Sequence, residues 1–223
     1  MNAKVFRRTG AAAILLLLGA CAAQRPKDAV LKPPATGGSV EEWAAAVAQD
    51  SRRSDAEHDG KVREQLAAHA LAQSQACLQL APQAPACLYY HGVALGLEAR
   101  VHPLRANDLL KSMLESLTAA EAADPNYDKA GPERVKALVL VRAPSWPLGP
   151  GDADTGVIEA RKAVELQPQH PPNQLALAEA LSKSGDAAGA RQAYQRVRDL
   201  AQALPASADR DDWLKQADQG LGH

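Results

Sequence analysis

Apolar residues recur along most of this chain at intervals of three and four positions, the period of a helix with one buried face. Alanine dominates these stretches, and the sequence lacks the alternating β-branched runs that indicate strands. Proline, glycine and aspartate divide the pattern into segments. Nine helices are predicted, at positions 40–56, 60–80, 85–100, 105–122, 131–143, 153–166, 171–184, 187–203 and 208–220. The pattern therefore predicts an all-α fold.

A landmark repeats every 43 residues along the chain. Pro82, Pro125 and Pro168 each close a helical stretch and precede a short turn and a new apolar run. One interval before Pro82 lies Ser39, where the first run begins. Such a period is typical of a solenoid, in which each helix pair buries its apolar face against its neighbours. We predict about four helix pairs plus a C-terminal capping helix, in one domain at 40–221.

The last unit resembles the tetratricopeptide repeat. Its large and small residues follow the spacing of that repeat at Gln174, Leu177, Ala178, Leu181, Ala190 and Tyr194. Gly185 and Asp186 are placed to end the first helix of the pair and to cap the second. The period exceeds the usual length of about 34 residues, and the extra residues fall within the pairs, at 99–107 and 143–152. Because these insertions contain proline and glycine, we expect them to be non-helical and to lie on one side of the solenoid.

The N-terminus resembles a bacterial lipoprotein signal. A basic head precedes an apolar stretch at 11–18, which is shorter than the roughly 20 residues needed to cross a bilayer. Leu18-Gly-Ala-Cys21 then resembles a lipobox, which implies cleavage after a signal at 1–20 and lipid on Cys21. The alternative is an ordinary signal with a cysteine near its cleavage site by chance. Ala22 favours the outer membrane of a Gram-negative host, with the protein facing the periplasm.

The segment after the signal and the overall charge limit the choice of partners. Residues 21–39 are polar, rich in proline and glycine and without periodicity, which predicts a lipidated flexible tether. Without the three basic residues of the signal, 22 Lys and Arg face 26 Asp and Glu, a net charge of −4. No basic stripe remains and aromatic residues are few, which argues against nucleic acid. We expect membrane contact through the lipid anchor only.

No motif in the sequence indicates catalysis. The six histidines are scattered, and none forms a close metal-ligand pair with another histidine or a cysteine. Gly149-Pro-Gly151 lacks the lysine and the strand of a phosphate-binding loop, and no nucleophile elbow occurs. We therefore expect a protein that is not an enzyme and that has no metal site and no cofactor.

Two cysteines flank the turn between the first two helix pairs. Cys77 lies near the end of one predicted helix and Cys87 near the start of the next. In an oxidising compartment this arrangement favours a disulfide. Alternatively, both are separate buried thiols, because Cys77 occupies the position that Ala120 and Ala163 take in the later units.

The first helices of successive pairs line the concave side of such a solenoid. Tyr90, Arg134, Asn173 and Glu179 lie on these helices and are the candidate groove residues for a partner. Asn173 could instead bond a helix end, and Glu179 could be solvated. Trp146, in the second insertion, is either a lid that contacts a ligand or a cover for the end of its helix pair.

Three segments resemble the T component of tripartite ATP-independent periplasmic (TRAP) transporters. They are Ala130-Gly-Pro-Glu-Arg-Val135, the insertion at 143–152, and Pro172-Asn-Gln-Leu-Ala-Leu-Ala-Glu-Ala-Leu181. The resemblance covers most of the folded body. It implies a periplasm-facing lipoprotein of modified tetratricopeptide pairs that associates with a periplasmic solute-binding protein and offers it a ligand through an internal channel.

Two functions therefore stay open. The first is a transport scaffold that binds a solute-binding protein and a small ligand. The second is a general tetratricopeptide adaptor in cell-envelope or outer-membrane assembly, and the chain could form a homo-oligomer in either role. A neighbouring gene for a TRAP permease would favour the first, and neighbouring secretion or wall-assembly genes the second.

Overall fold

The computed structural model describes residues 38–222, so the predicted signal, Cys21 and most of the tether lie outside the described residues. Within this range the chain forms nine α-helices, one 3-10 turn and no strand, and every predicted helix end lies within one residue of the observed end. The all-α prediction is confirmed. The helices are α1 (Val40–Ala56), α2 (Gly60–Leu80), α3 (Pro85–Val101), α4 (Ala106–Ala123), α5 (Gly131–Arg142), α6 (Ala153–Leu166), α7 (Pro171–Ser184), α8 (Ala187–Gln202) and α9 (Ala208–Leu221).

Local sequence signals set the helix ends. At α1 the Ser39 hydroxyl accepts a hydrogen bond from the Glu42 N–H, and the Glu42 carboxylate accepts one from the Ser39 N–H (3.2 and 2.8 Å). Gly185 ends α7 with a φ of 91°, a left-handed conformation that favours glycine. Asp186 then caps α8 by accepting a hydrogen bond from the Gly189 N–H (2.8 Å).

Each helix packs on the next along the chain, and small residues let neighbouring helices approach closely. Gly92 of α3 lies against Leu117 of α4, where a Cβ would come within 2.9 Å of the leucine side chain. The odd-numbered helices also pack on one another, α1 on α3, α5 on α7 and α7 on α9. The exception is α3 with α5. These two meet at their N-terminal ends, where the Tyr89 ring lies against Gly131, but they do not pack along their lengths.

An ionic cluster on α4, α5 and α6 joins the second helix pair to the third. Lys136 of α5 is buried and lies between the carboxylates of Glu121 on α4 and Glu159 on α6, the latter at 2.8 Å. These pairings offset the cost of burying the ammonium group. Glu133, also on α5, is buried with no hydrogen-bond partner for either carboxylate oxygen, and this burial raises its pKa.

The two insertions take different forms. In the second unit the extra residues lengthen the helices, so that α3 has 17 residues and α4 has 18, against 14 and 16 in α7 and α8. The expectation that 99–107 is non-helical was therefore wrong for most of that segment. Pro103 fits because it begins the 3-10 turn (Pro103–Arg105), where its missing N–H is not needed. In the third unit the insertion is a loop between α5 and α6.

The first two pairs are also linked covalently. Cys77 and Cys87 form a disulfide between the end of α2 and the start of α3, with Cα atoms 5.3 Å apart. Both residues are buried, and Trp43 of α1 packs on them, so three helices meet at this point. No helix within 38–222 is long and apolar enough to cross a membrane.

Candidate partner-binding groove

A groove along the odd-numbered helices contains two chambers. The polar chamber lies between α5, α7 and α9 and has a volume of about 490 Å³. Most of the residues that line it carry a charge or a hydrogen-bonding group. They include Arg134, Arg142, Glu179, Tyr194, Trp213 and Gln216.

The second cavity, the apolar chamber, lies between α3 and α5 and has a volume of about 570 Å³. Its walls and floor are mainly aliphatic, and Gly96 leaves room for the Met113 thioether of α4. At its mouth, Arg100 of α3 donates a hydrogen bond to Asp55 of α1 (2.8 Å). The aliphatic lining includes Val93, Leu97, Leu110, Val135 and Val139.

Leu138 and Arg142 of α5 line both chambers and form the wall between them. The Arg142 guanidinium donates two hydrogen bonds to the Glu179 carboxylate, from Nε to Oε1 at 2.8 Å and from Nη2 to Oε2 at 2.7 Å. This bidentate contact raises the pKa of Arg142, which stays charged. The predicted groove residue Glu179 therefore lines the polar chamber as one half of an ion pair.

Arg134 lies at the floor of the polar chamber and supports a strained turn. Its guanidinium donates to the Asp128 carboxylate (2.7 Å), to the carbonyls of Asp128 and Lys129 (3.2 Å each) and to the Asn173 side-chain oxygen (2.9 Å). Asp128, Lys129 and Ala130 have φ values of 47°, 56° and 62°, a left-handed conformation that is costly for residues other than glycine. Arg134 thus lines the polar chamber, and bonds within the protein occupy both of its terminal nitrogens.

Asn173 does not lie on the groove surface. It is 0% exposed, and its amide donates to the carbonyls of Lys129, Ala163 and Gln167 at 3.1, 3.0 and 3.3 Å. The prediction that it contacts a partner was wrong, because its bonds join the turn before α5 and the end of α6 to the start of α7. The alternative, that it bonds a helix end, describes the observed geometry.

Tyr90 is half-buried and lines neither chamber. It belongs to a cluster of edge-to-face rings with Tyr89 (5.0 Å between centroids) and Tyr127 (6.4 Å). Burial raises the pKa of all three tyrosines, so their hydroxyls stay protonated. The Tyr89 hydroxyl donates to Asp128 (3.0 Å), which connects the cluster to the strained turn.

Trp146 is 87% exposed and lines neither chamber. Its exposure contradicts the interpretation that it covers the end of its helix pair, whereas its role as a lid that contacts a ligand stays a prediction. Trp213, which terminates the polar chamber, lies 6.2 Å from the His170 ring at the start of α7. Burial and the nearby charges of Arg134 and Lys129 lower the pKa of His170 to about 4.

Sequence reasoning missed the dividing wall and the α9 side of the polar chamber. A signal for the wall was present, since Arg134, Leu138 and Arg142 follow one another at four-residue steps on one helix face. Trp213 gave no such signal, because an aromatic residue on the last helix is equally suited to close the core. Among the described residues, no group of three or more His, Cys, Asp or Glu side chains is placed to hold a metal ion.

Comparison with solved structures supports the fold. The chain is similar to the crystal structure of a thermophilic TPR protein from Thermus thermophilus, with a TM-score of 0.56 and 19% sequence identity. The match covers 82% of this chain and 93% of that chain, which confirms the tetratricopeptide-like solenoid and, at this identity, shows the fold alone. No family model and no curated protein matches the chain.

Proposed function

We propose that this protein is a non-enzymatic scaffold that binds a segment of a partner protein in its groove. A tetratricopeptide-like solenoid generally mediates binding to other proteins through such an extended concave surface. The observation that carries the proposal is the pair of unlike chambers that share Leu138 and Arg142 as one wall. A segment with polar residues followed by apolar ones would place each part in the matching chamber.

The partner we propose is a periplasmic solute-binding protein of a TRAP-type system. The three segments that resemble the T component support this choice, and the lipobox-like sequence supports a lipid on Cys21 that holds the protein at the outer membrane, facing the periplasm. The apolar chamber also falls within the range of about 300–1,000 Å³ that small-molecule sites occupy. It offers room for the ligand that such a partner would deliver or receive.

Capture from periplasmic extract tests the scaffold role. We compare the wild type with Arg142→Ala plus Glu179→Ala, which removes both members of the dividing pair and leaves no unpaired charge behind. A second variant, Leu138→Gln, changes the wall without touching the ion pair. Each is expected to lower partner capture by about tenfold or more, as for residues at the centre of an interface.

The control replaces a hydrogen-bonded pair outside the groove, Gln195→Ala plus Asp199→Ala on α8, whose side chains are 2.9 Å apart and exposed. It should capture the partner as the wild type does. Equal capture by all variants would show that the groove is not the binding surface. Mass spectrometry of the captured protein separates the two roles, because an envelope-assembly protein in place of a solute-binding protein would support the adaptor.

Lipid attachment is tested separately by Cys21→Ser. Two or more acyl chains give stable anchoring, whereas one chain gives marginal binding. The variant is expected to lose its place in the outer-membrane fraction. A processed protein that stays in that fraction would contradict the lipid anchor while leaving the groove proposal intact.

A further inference from the structure

Three large apolar side chains are exposed at the edge of the solenoid where α1, α3 and α5 end. We call this edge the loop edge. Leu104 follows α3, and Trp146 and Leu148 follow α5. Their exposed fractions are 102%, 87% and 77%, above those of every other large apolar residue in the described range, of which the next is Leu80 at 59%. These three side chains therefore contribute little to the packing of the described residues.

Both loops lie at the same edge because α3 and α5 run in the same direction. The ends of α1, α3 and α5 meet at the mouth of the apolar chamber, which Asp55, Arg100 and Pro144 line together. The hydrogen bond from Arg100 to Asp55 (2.8 Å) ties two of these ends to each other. The three apolar side chains therefore extend from one edge.

The backbone of the α5–α6 loop fixes the position of its apolar side chains. The Gly151 N–H donates to the Pro144 carbonyl (2.9 Å), and the Asp152 N–H donates to the Leu140 carbonyl (2.8 Å). A Cβ at Gly149 or Gly151 would collide with a backbone oxygen of the same loop. The loop backbone is thus tightly closed, and Trp146 and Leu148 extend from it into solvent.

The chemistry of this edge fits a lipid surface. Residues 143–151 carry no charge, and Arg105 is the one Lys, Arg, Asp or Glu within 101–105. Three acidic side chains of this edge, Asp55, Glu57 and Asp59, belong to the end of α1 and the turn before α2, which carry none of the three apolar side chains. Tryptophan with flanking arginine suits the interface of a bilayer, where the ring is partly buried and the guanidinium stays in water. The apolar side chains protrude, and neither chamber extends to them. A fluid bilayer accepts such protrusions without a matching pocket, whereas a protein partner needs a complementary surface.

We infer that the loop edge contacts a membrane surface and that Trp146, Leu148 and Leu104 insert into its interfacial layer. This extends the proposed function, on whose lipid anchor it rests. The anchor permits the orientation: α1 has 17 residues and spans about 26 Å from its start to the loop edge. The chain from Cys21 to Gly38 has 18 residues and reaches up to about 60 Å when extended. The body can therefore rest on this edge while its first helix begins above the membrane.

The test measures tryptophan emission of the acylated, full-length mature protein in phosphatidylcholine vesicles, with and without bromine on the acyl chains near the interface. Bromine quenches only an indole that enters the bilayer. Trp43 is 6% exposed and Trp213 is half-buried at the far end of the groove, so Trp146 is the tryptophan placed to respond. We expect quenching in the wild type and none in Trp146→Phe.

A second measurement uses the unacylated chain from Ala22 and titrates vesicles directly. Trp146→Ser and Leu148→Ser should each lower partitioning by about tenfold, the effect of withdrawing one large apolar side chain from the interface. Leu80→Ser is the matched control, because Leu80 ends α2 at the opposite edge. It should partition as the wild type does.

The inference is overturned if the acylated protein floats with vesicles but shows no bromine quenching, or if Leu80→Ser loses binding as strongly as Leu148→Ser. It is also overturned if Trp146→Ser abolishes capture of a partner protein while vesicles leave Trp146 unquenched, since the loop would then bind protein. A third outcome separates the loop from the anchor. If the chain expressed with its signal does not float with vesicles, but Trp146 of the unacylated chain is still quenched, the lipid anchor is contradicted and the loop inference stands.

Discussion

The two chambers share one wall, yet they are built by different interactions. Under the polar chamber, Arg134 and Asn173 make directional hydrogen bonds to a strained turn and to helix ends. Around the apolar chamber, aliphatic side chains and Met113 pack without direction; one hydrogen bond, from Arg100 to Asp55, crosses its mouth, and a disulfide lies at the far end of α3. Hydrogen-bonded floors specify the shape of a site, whereas aliphatic walls adapt to what they contact. We therefore expect the polar chamber to select its occupant more strictly.

The largest expected loss of stability follows from replacing Asn173, which lies beneath the polar chamber. Asn173→Ala removes the buried amide that bonds the carbonyls of Lys129, Ala163 and Gln167 and accepts from Arg134, and it should lower the free energy of unfolding by about 3 kcal/mol. Chemical denaturation measures this value. Gln174→Ala is the control on the same helix, because Gln174 makes one long bond to the Pro168 carbonyl (3.3 Å) and should cost about 1 kcal/mol. Equal losses would mean that the floor does not depend on Asn173.

The second largest loss of stability is expected from removing the disulfide between α2 and α3. Cys77→Ala plus Cys87→Ala opens a loop with a sequence separation of 10 residues and should cost about 2–3 kcal/mol in the chain-entropy account. Amide hydrogen exchange should rise in α1, α2 and α3 and stay unchanged in α7, α8 and α9. Faster exchange throughout the chain would show that the two sides are not independent. A reductant should destabilise the wild type and leave the double variant unaffected.

Acid should lower the free energy of unfolding through His170, whose ring lies against Trp213 of the polar chamber. Its pKa of about 4 in the folded protein lies below the ordinary 6.5, so the unfolded chain binds more protons between these values. Stability contributed by neutral His170 is present above pH 6.5 and is lost as the pH falls towards 4. Between pH 7 and 4.5 the wild type should lose about 1 kcal/mol more than His170→Gln, after allowance for solvent screening. Thermal melts across this range measure the difference, with the exposed His58→Gln as control; parallel curves for wild type and His170→Gln would exclude the effect.

The smallest effect on stability is expected at the shared wall. Arg142→Ala plus Glu179→Ala removes an ion pair whose side chains are 58% and 29% exposed, and such pairs contribute about 0–1 kcal/mol. The double variant should melt close to the wild type while its two chambers open into one. A loss above about 2 kcal/mol would show that the wall is part of the core and not a divider.

Local signals made the helices predictable, while the relations between helices were less so. Gly185 and Asp186 mark a helix end and a cap by their own chemistry, and the structure places both as expected. Asn173 was assigned to the wrong side of α7, because polar residues occur both on a surface and beneath it, and only the packed neighbours tell the two apart. The separation of α3 from α5 depends on how whole helices dock. No residue pattern in either helix encodes it.

That separation also has a mechanical consequence. A solenoid whose units all pack on their neighbours spreads a bending load evenly along its axis. In this protein the stacking of odd-numbered helices is interrupted once within the described range, between α3 and α5, where α4 and the ion pairs of Lys136 carry the connection. Bending should therefore concentrate at one joint between two stiffer blocks. Because the apolar chamber lies at this joint, we expect bending there to change the width of that chamber.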